Sequence, residues 1–175
     1  MQDLPGNLDA DVDRDLRGRE RHQLGRRMAL GALTLFVLAA LLNVFGQRTT
    51  TTVAAEPAAA LSVQAPSRLR GGLIFEGRFR IDAREAIAEP TLVLQSGWID
   101  AITLNSIEPA PTTERSLDDG SIAFDLPPIA AGGSSTLYTQ WQVNPTALGR
   151  TSADVELRDG DRSIARVERT VTIFP

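Results

Sequence analysis

The chain has no cysteine, no lysine and a single histidine, and each absence removes a class of chemistry. Without cysteine there is no disulfide and no lipid attachment through a thiol. Any folded part is therefore held by its core alone, although small exported domains often depend on disulfides. The one histidine is His22, so everything after it lacks both His and Cys. That excludes Cys–His and Ser–His–Asp nucleophilic sites, His-based metal sites and the common zinc ligand sets. Carboxylates, hydroxyls and arginines remain, and the reading is of a non-enzyme with no cofactor and no metal. All 18 basic residues are Arg. Beside abundant Ala, Gly and Asp, this is the composition of GC-rich bacterial coding rather than a device for binding anions. Aromatics are also scarce: six Phe, two Trp and one Tyr.

Charge is missing altogether from Met28 to Gln47, where only Thr34, Asn43 and Gln47 are polar. About 20 residues at ~1.5 Å each reach ~30 Å, the hydrocarbon thickness of a bilayer. The Leu, Val and Phe of this run favour insertion by roughly 3 to 6 kcal/mol in sum. The expectation is a transmembrane helix over 28–47. Arg14, Arg17, Arg19, Arg21, Arg26 and Arg27 precede it and Arg48 stands alone after it. Arginines stay on the cytoplasmic side, which puts the amino terminus inside, the carboxy terminus outside, and makes Arg26, Arg27 and Arg48 boundary anchors. The run is longer than a secretory signal's and is followed by a poor cleavage site, Asn43 to Arg48. An uncleaved signal anchor in the cell membrane is the reading, with cleavage after export as the alternative.

Four segments follow: a cytoplasmic tail over 1–27, the span over 28–47, a spacer over 48–60 and an extracytoplasmic domain over 61–175. In the tail, Leu8, Val12, Leu16 and Leu24 fall at helical spacing, though a solvated tail accounts for them as well. The spacer reading rests on "RTTTTVAAEPAAA", low in complexity and short of large side chains. From Leu61 the apolar period is two. Leu73, Phe75, Gly77, Phe79 and Ile81 alternate with Ile74, Glu76, Arg78, Arg80 and Asp82, as in a strand with one side on a core. The pattern returns at Leu92 and Leu94, at Ile122, Phe124 and Leu126, and at Leu137, Thr139, Trp141 and Val143. It continues at Ala153, Val155 and Leu157 and ends at Val171 and Ile173. "VELRDGDRSIARV" reads as a hairpin tipped by Asp159-Gly160, and "AREAIAE" allows a helical turn. Seven or eight short strands over about 110 residues predict an antiparallel β-sandwich.

The succession "GGLIFEGRFRI", "AEPTLVLQSGW" and "GSIAFDLPPIAAGGSSTLYTQWQV" resembles the immunoglobulin-like modules of bacterial surface and envelope proteins, over residues 60–175. The resemblance implies an all-β, immunoglobulin-like sandwich behind a single transmembrane helix, displayed outside the cell. A fold does not by itself imply a function.

Few residues qualify as sites. Asp118, Asp119 and Gly120, like Asp159, Gly160 and Asp161, sit together as in a calcium loop, but neither group continues into the 12-residue ligand spacing. Turns favour the same residues. Trp141 shares a face with Leu137 and Val143 and belongs to a core. Trp98 follows Gly97, where the period breaks as at a bulge. It is either core or, with Tyr138, part of an exposed contact patch. From Arg48 on there are 12 Arg against 16 acids, which excludes a nucleic-acid partner. The partners expected are the lipid bilayer and another membrane or envelope protein, with a cell-wall glycan or other surface ligand as the alternative.

Overall fold

The computed structural model describes residues 19–42, 44 and 47–175, without the side chains of residues 19–22. The tail stripe at Leu8, Val12 and Leu16, the leading arginines Arg14 and Arg17, and Asn43 lie outside the described residues, as does the His22 side chain. The chain divides into two compact units, Met1–Phe45 and Gly46–Pro175.

Among the described residues, the first unit contributes one helix, α1 (Arg19–Leu41). Within it, Gln23–Leu41 is long and apolar enough to cross a membrane, whether as an anchor or as a signal sequence. Its one hydroxyl is accommodated locally, because Thr34 Oγ1 donates to the Leu30 carbonyl at 2.8 Å. The helix ends at Leu41, six residues short of the expected Gln47. Leu42 N–H still reaches the Leu38 carbonyl at 2.9 Å, and Val44 N–H closes a wider turn onto Ala39 at 3.0 Å. Asn43 and Gly46 are weak helix formers, which accounts for the early stop.

The second unit is built of strands. In chain order they are β1 (Thr49–Ala55), β2 (Ala59–Pro66), β3 (Arg68–Arg70), β4 (Ile74–Ala83), β5 (Pro90–Leu94), β6 (Ile102–Glu108) and β7 (Thr113–Ser116). There follow β8 (Ile122–Asp125), β9 (Ser134–Val143), β10 (Gly149–Ser152), β11 (Val155–Asp159), β12 (Arg162–Val167) and β13 (Thr170–Phe174). One five-stranded antiparallel sheet has the order β1-β2-β4-β9-β6, and a second has the order β12-β11-β5-β8-β7. A smaller sheet, β10-β13-β3, includes the parallel pair β13 and β3. The two large sheets share a single apolar core, which makes the unit a β-sandwich. Leu61, Val63, Phe79, Ile81, Leu137 and Trp141 from the first sheet meet Leu92, Leu94, Phe124, Val155 and Leu157 from the second. The alternation read from the sequence is the alternation observed, since Phe75, Gly77, Phe79 and Ile81 are inward and Glu76, Arg78 and Arg80 outward. Leu73 departs from it. It sits in the turn before β4 and is exposed.

Three local expectations are corrected. The stretch expected to be a spacer forms β1 and the start of β2, with seven residues in register from Thr49↔Pro66 to Ala55↔Ala60. Low complexity does not disfavour a strand when four of the residues are β-branched threonines. The hairpin tip is shifted by one residue: Asp159 pairs with Arg162, leaving Gly160-Asp161 as a two-residue loop. Gly160 there has φ +56°, as tight hairpin turns require of their first central residue. "AREAIAE" contains no helical turn; Ile87 instead bridges to Ile129.

Acid should weaken this unit through a few carboxylates. The Arg115 guanidinium holds Asp125 below the ordinary carboxylate range, with the Thr91 hydroxyl assisting against burial. Arg158 does the same for Glu156. Burial pushes Asp154 up, but the Arg169 N–H and the Arg166 side chain together outweigh it and hold it low. Groups depressed in the folded state bind protons more readily when unfolded, so their stabilisation is present above about pH 4 and is lost as pH falls through the folded values. The urea midpoint is expected to be flat between about pH 7 and 5 and to fall below about 4. A midpoint that rises on acidification would refute this assignment.

Candidate interaction face

The two outer faces of the sandwich differ in what their polar groups already do. On β5, β8 and β11, the outward Val93 and Ala123 are buried beneath a lattice of ion pairs. Arg115 reaches Asp125 at 2.8 Å and Arg158 reaches Glu156 at 3.0 Å, while Thr91 Oγ1 donates to Asp125 at 2.9 Å. That face is closed by its own side chains. A groove of about 450 Å³ at its edge is lined by Glu89, Thr113, Arg115, Asp125 and Asp161, of which Arg115 and Asp125 are already paired.

The face of β1-β2-β4-β9-β6 is more open. Antiparallel register lines up its outward residues in rows, Thr51–Gln64–Arg78–Tyr138–Glu108 in one and Glu76–Gln140–Ser106 in the next. Tyr138 is 52% exposed, and the Arg78 guanidinium lies 5.2 Å from its ring centre. That contact holds the ring in place without covering it. In β6 the register shifts between Leu104 and Ser106, so Asn105 is an extra residue at this edge. Beside the bulge runs a groove of about 450 Å³ lined by Gln64, Glu76, Arg78, Glu108, Tyr138 and Gln140. Glu76 and Glu108 form no ion pair among the described residues. Farther along β4, Arg80 donates to Asp82 at 2.6 Å and holds its carboxyl below the usual range, partly against burial.

No protein-family model matches the sequence, and no curated protein does. Solved structures do resemble the chain, among them the following three. CaCohA2 from Clostridium acetobutylicum is 14% identical over 67% of this chain and 92% of its own, with a TM-score of 0.47. The human F-spondin reeler domain is 15% identical over 78% and 99%, with a TM-score of 0.43. A non-cellulosomal cohesin from the hyperthermophilic archaeon Archaeoglobus fulgidus is 13% identical over 72% and 92%, with a TM-score of 0.35. At these scores none of the three carries an inference for this chain.

Tyr138 is thus on an open face, but Trp98 is not beside it. Trp98 is 1% exposed and inside the sandwich. The break in period at Gly97 is a 3-10 turn, Ser96–Trp98, rather than a bulge, and it turns the indole inward. Its Nε1 donates to the Ala153 carbonyl at 2.8 Å, and its ring meets Phe79 edge-on at 5.5 Å and Trp141 at 5.2 Å. Trp98 is a core residue, and the contact patch expected of the pair reduces to Tyr138.

Arg169 was not legible as special in the sequence. It is 7% exposed and lies over the Trp98 ring at 5.8 Å, with Nη2 donating to the Ala65 carbonyl at 2.7 Å. Burial lowers its pKa, and Nη1 is buried without a hydrogen-bond partner among the described residues. It fastens β2 to the Trp98 turn. The aspartates singled out as calcium-loop alternatives have structural partners: Asp119 accepts from the N–H and hydroxyl of Ser121 within its turn, and Asp159, at the end of β11, accepts from Glu89 N–H at 2.8 Å and ties the hairpin to the segment before β5. Among the described residues no group of three or more acidic side chains converges on a common centre. Arg26 and Arg27 lie on α1 and Arg48 directly precedes β1, all three exposed.

Proposed function

We propose that the chain is a non-catalytic, single-pass membrane protein whose outer sandwich, of the immunoglobulin-like kind, contacts another envelope protein through the face around Tyr138. In this reading α1 stays uncleaved in the cell membrane, with Arg26 and Arg27 on the cytoplasmic side and Arg48 on the outer side. The observation that carries it is the exposed Tyr138 on β9, with Arg78 of the central strand β4 against its ring, on a five-stranded polar face. Tyr and Arg are the residues enriched where interfaces concentrate their energy, and a polar surround that excludes water is the usual setting. Tyr138→Ala is expected to weaken partner binding by about 2 kcal/mol, roughly 30-fold in Kd, with the melting temperature unchanged. Crosslinked pull-down from native membranes in mild detergent measures this. Equal recovery by Y138A and the parent chain would remove the face from the interface.

A second reading is favoured by the groove itself. An aromatic ring beside Gln64, Gln140, Glu76 and Glu108 is a surface on which a sugar ring can stack and hydrogen-bond. Retention on cell-wall glycan that Y138A abolishes, with no protein recovered in the pull-down, would replace the first reading by this one.

A further inference from the structure

The two ends of the sandwich are unlike. At the end where the chain enters β1, Thr49 stands opposite Pro66, and the turn between β3 and β4 lies alongside, with Gly71 against the Pro145 carbonyl. Leu73 on that turn, Ile74 at the start of β4 and Leu148 in the β9–β10 loop are exposed, the last at 65%. The opposite end, with loops 56–58, 84–89 and 127–133, has no exposed large apolar side chain. It carries Glu56, Glu85 and Glu89 instead, with Arg84 as the one cation of these loops, donating to the Glu56 carbonyl at 2.7 Å.

Beside the apolar tips stands the small sheet. Thr172 of β13 has Arg150 on one side and Arg68 on the other, and Arg70 pairs with Phe174 two residues on. Three guanidinium groups therefore share one face, and Arg70 and Arg150 form no ion pair among the described residues. Of the acids at this end, Asp100, Asp118 and Asp119 belong to other loops, while Asp154 and Glu168 flank the Ser152–Thr170 end of the small sheet, where Asp154 is already paired with Arg166 and the Arg169 N–H. Exposed aliphatic tips beside a cluster of arginines are the signature of a surface that rests in a lipid interface. The tips enter the headgroup region, and the cations are attracted to an anionic surface. Only residues 42–48 separate α1 from β1, and a link that short reaches no more than about 25 Å.

The geometry points to a lipid-docking surface: Leu73, Ile74 and Leu148 with Arg70 and Arg150 seat the sandwich on an anionic bilayer. The inference rests on the anchor reading for its setting but not on the Tyr138 face. It leaves that face and the acidic end for partners.

The absence of cysteine makes the test direct. Leu148→Cys and, at the opposite end, Ala131→Cys are each labelled with an environment-sensitive dye in the full chain. The chain is reconstituted in phosphatidylcholine vesicles, with or without about a third phosphatidylglycerol, carrying headgroup-level quencher lipids. Quenching at position 148 is expected to exceed that at 131 severalfold on anionic vesicles. The excess should shrink without phosphatidylglycerol and in an Arg70→Ser, Arg150→Ser variant. Equal quenching at the two positions on anionic vesicles overturns the proposal. So does a dye shift at 148 without lipid quenching, which would assign the patch to a protein. Extraction of the chain from vesicles by alkaline carbonate would count against the anchor alone. The same quenching comparison, with protein added to preformed vesicles, then still decides the patch.

Discussion

Trp98→Ala is expected to lower the unfolding free energy of the sandwich by about 3–5 kcal/mol. Its indole is enclosed by Phe79, Trp141 and Arg169 and donates to Ala153. Removing it leaves a cavity where two sheets meet, orphans the Ala153 carbonyl, and strips the buried Arg169 of the ring beneath it. A domain of this size has roughly 5–15 kcal/mol in all, so much of its stability is at stake. Thermal unfolding should shift down by about 10–20 °C. Tyr138→Ala provides the contrast, since a surface substitution stays within about 0.5 kcal/mol. If W98A and Y138A melt together, the indole is not the keystone that its contacts make it.

The second large effect is expected one residue earlier. A Cβ built on Gly97 would stand 1.7 Å from the Ser152 carbonyl oxygen and 2.5 Å from Thr151 Oγ1. The nearer obstacle is backbone, which cannot rotate away as a side chain can. Gly97→Ala must therefore push the 3-10 turn off β10 and move Trp98 with it. The loss should exceed the ~1–3 kcal/mol of ordinary overpacking, and the variant should give little folded protein. Gly132→Ala separates this from a general intolerance of glycine loss. Gly132 has φ +77° with nothing within 4 Å of an added Cβ, so the cost is conformational, about 1 kcal/mol. Urea unfolding of both variants ranks them, and a G97A midpoint at or above that of G132A would contradict the steric argument.

What the sequence made legible divides along a physical line. Alternation or hairpin signals marked eight strands, β2, β4, β5, β8, β9, β11, β12 and β13. Those it missed are β1, β3, β6, β7 and β10, and every one is the edge of a sheet. An edge strand buries fewer side chains, so nothing obliges it to alternate. β7, "TERS", is exposed throughout, and β1 is nearly so. Edges show themselves by other means, such as Arg68, Arg70, Glu114, Arg115 and Arg150, whose charges discourage pairing with a further chain. On the candidate face, Tyr138 could be placed outward from its alternation with Leu137 and Thr139. Its partner Arg78 could not, because that contact depends on the register of β4 against β9. Trp98 was ambiguous for a related reason. The 3-10 turn that sends it inward is fixed by how closely Gly97 approaches β10, a long-range contact that no local pattern encodes.

β1 has a mechanical consequence. The chain enters it at Thr49, opposite the last residue of β2, and all seven of its residues are in register with that neighbour. A tug on residue 48 along the strand would load the seven pairs lengthwise together, so they must slip as one, whereas a pull across the strand would part them singly from Thr49. Under the lengthwise load the resistance comes from the threonine run, the stretch that composition alone would have passed over as slack.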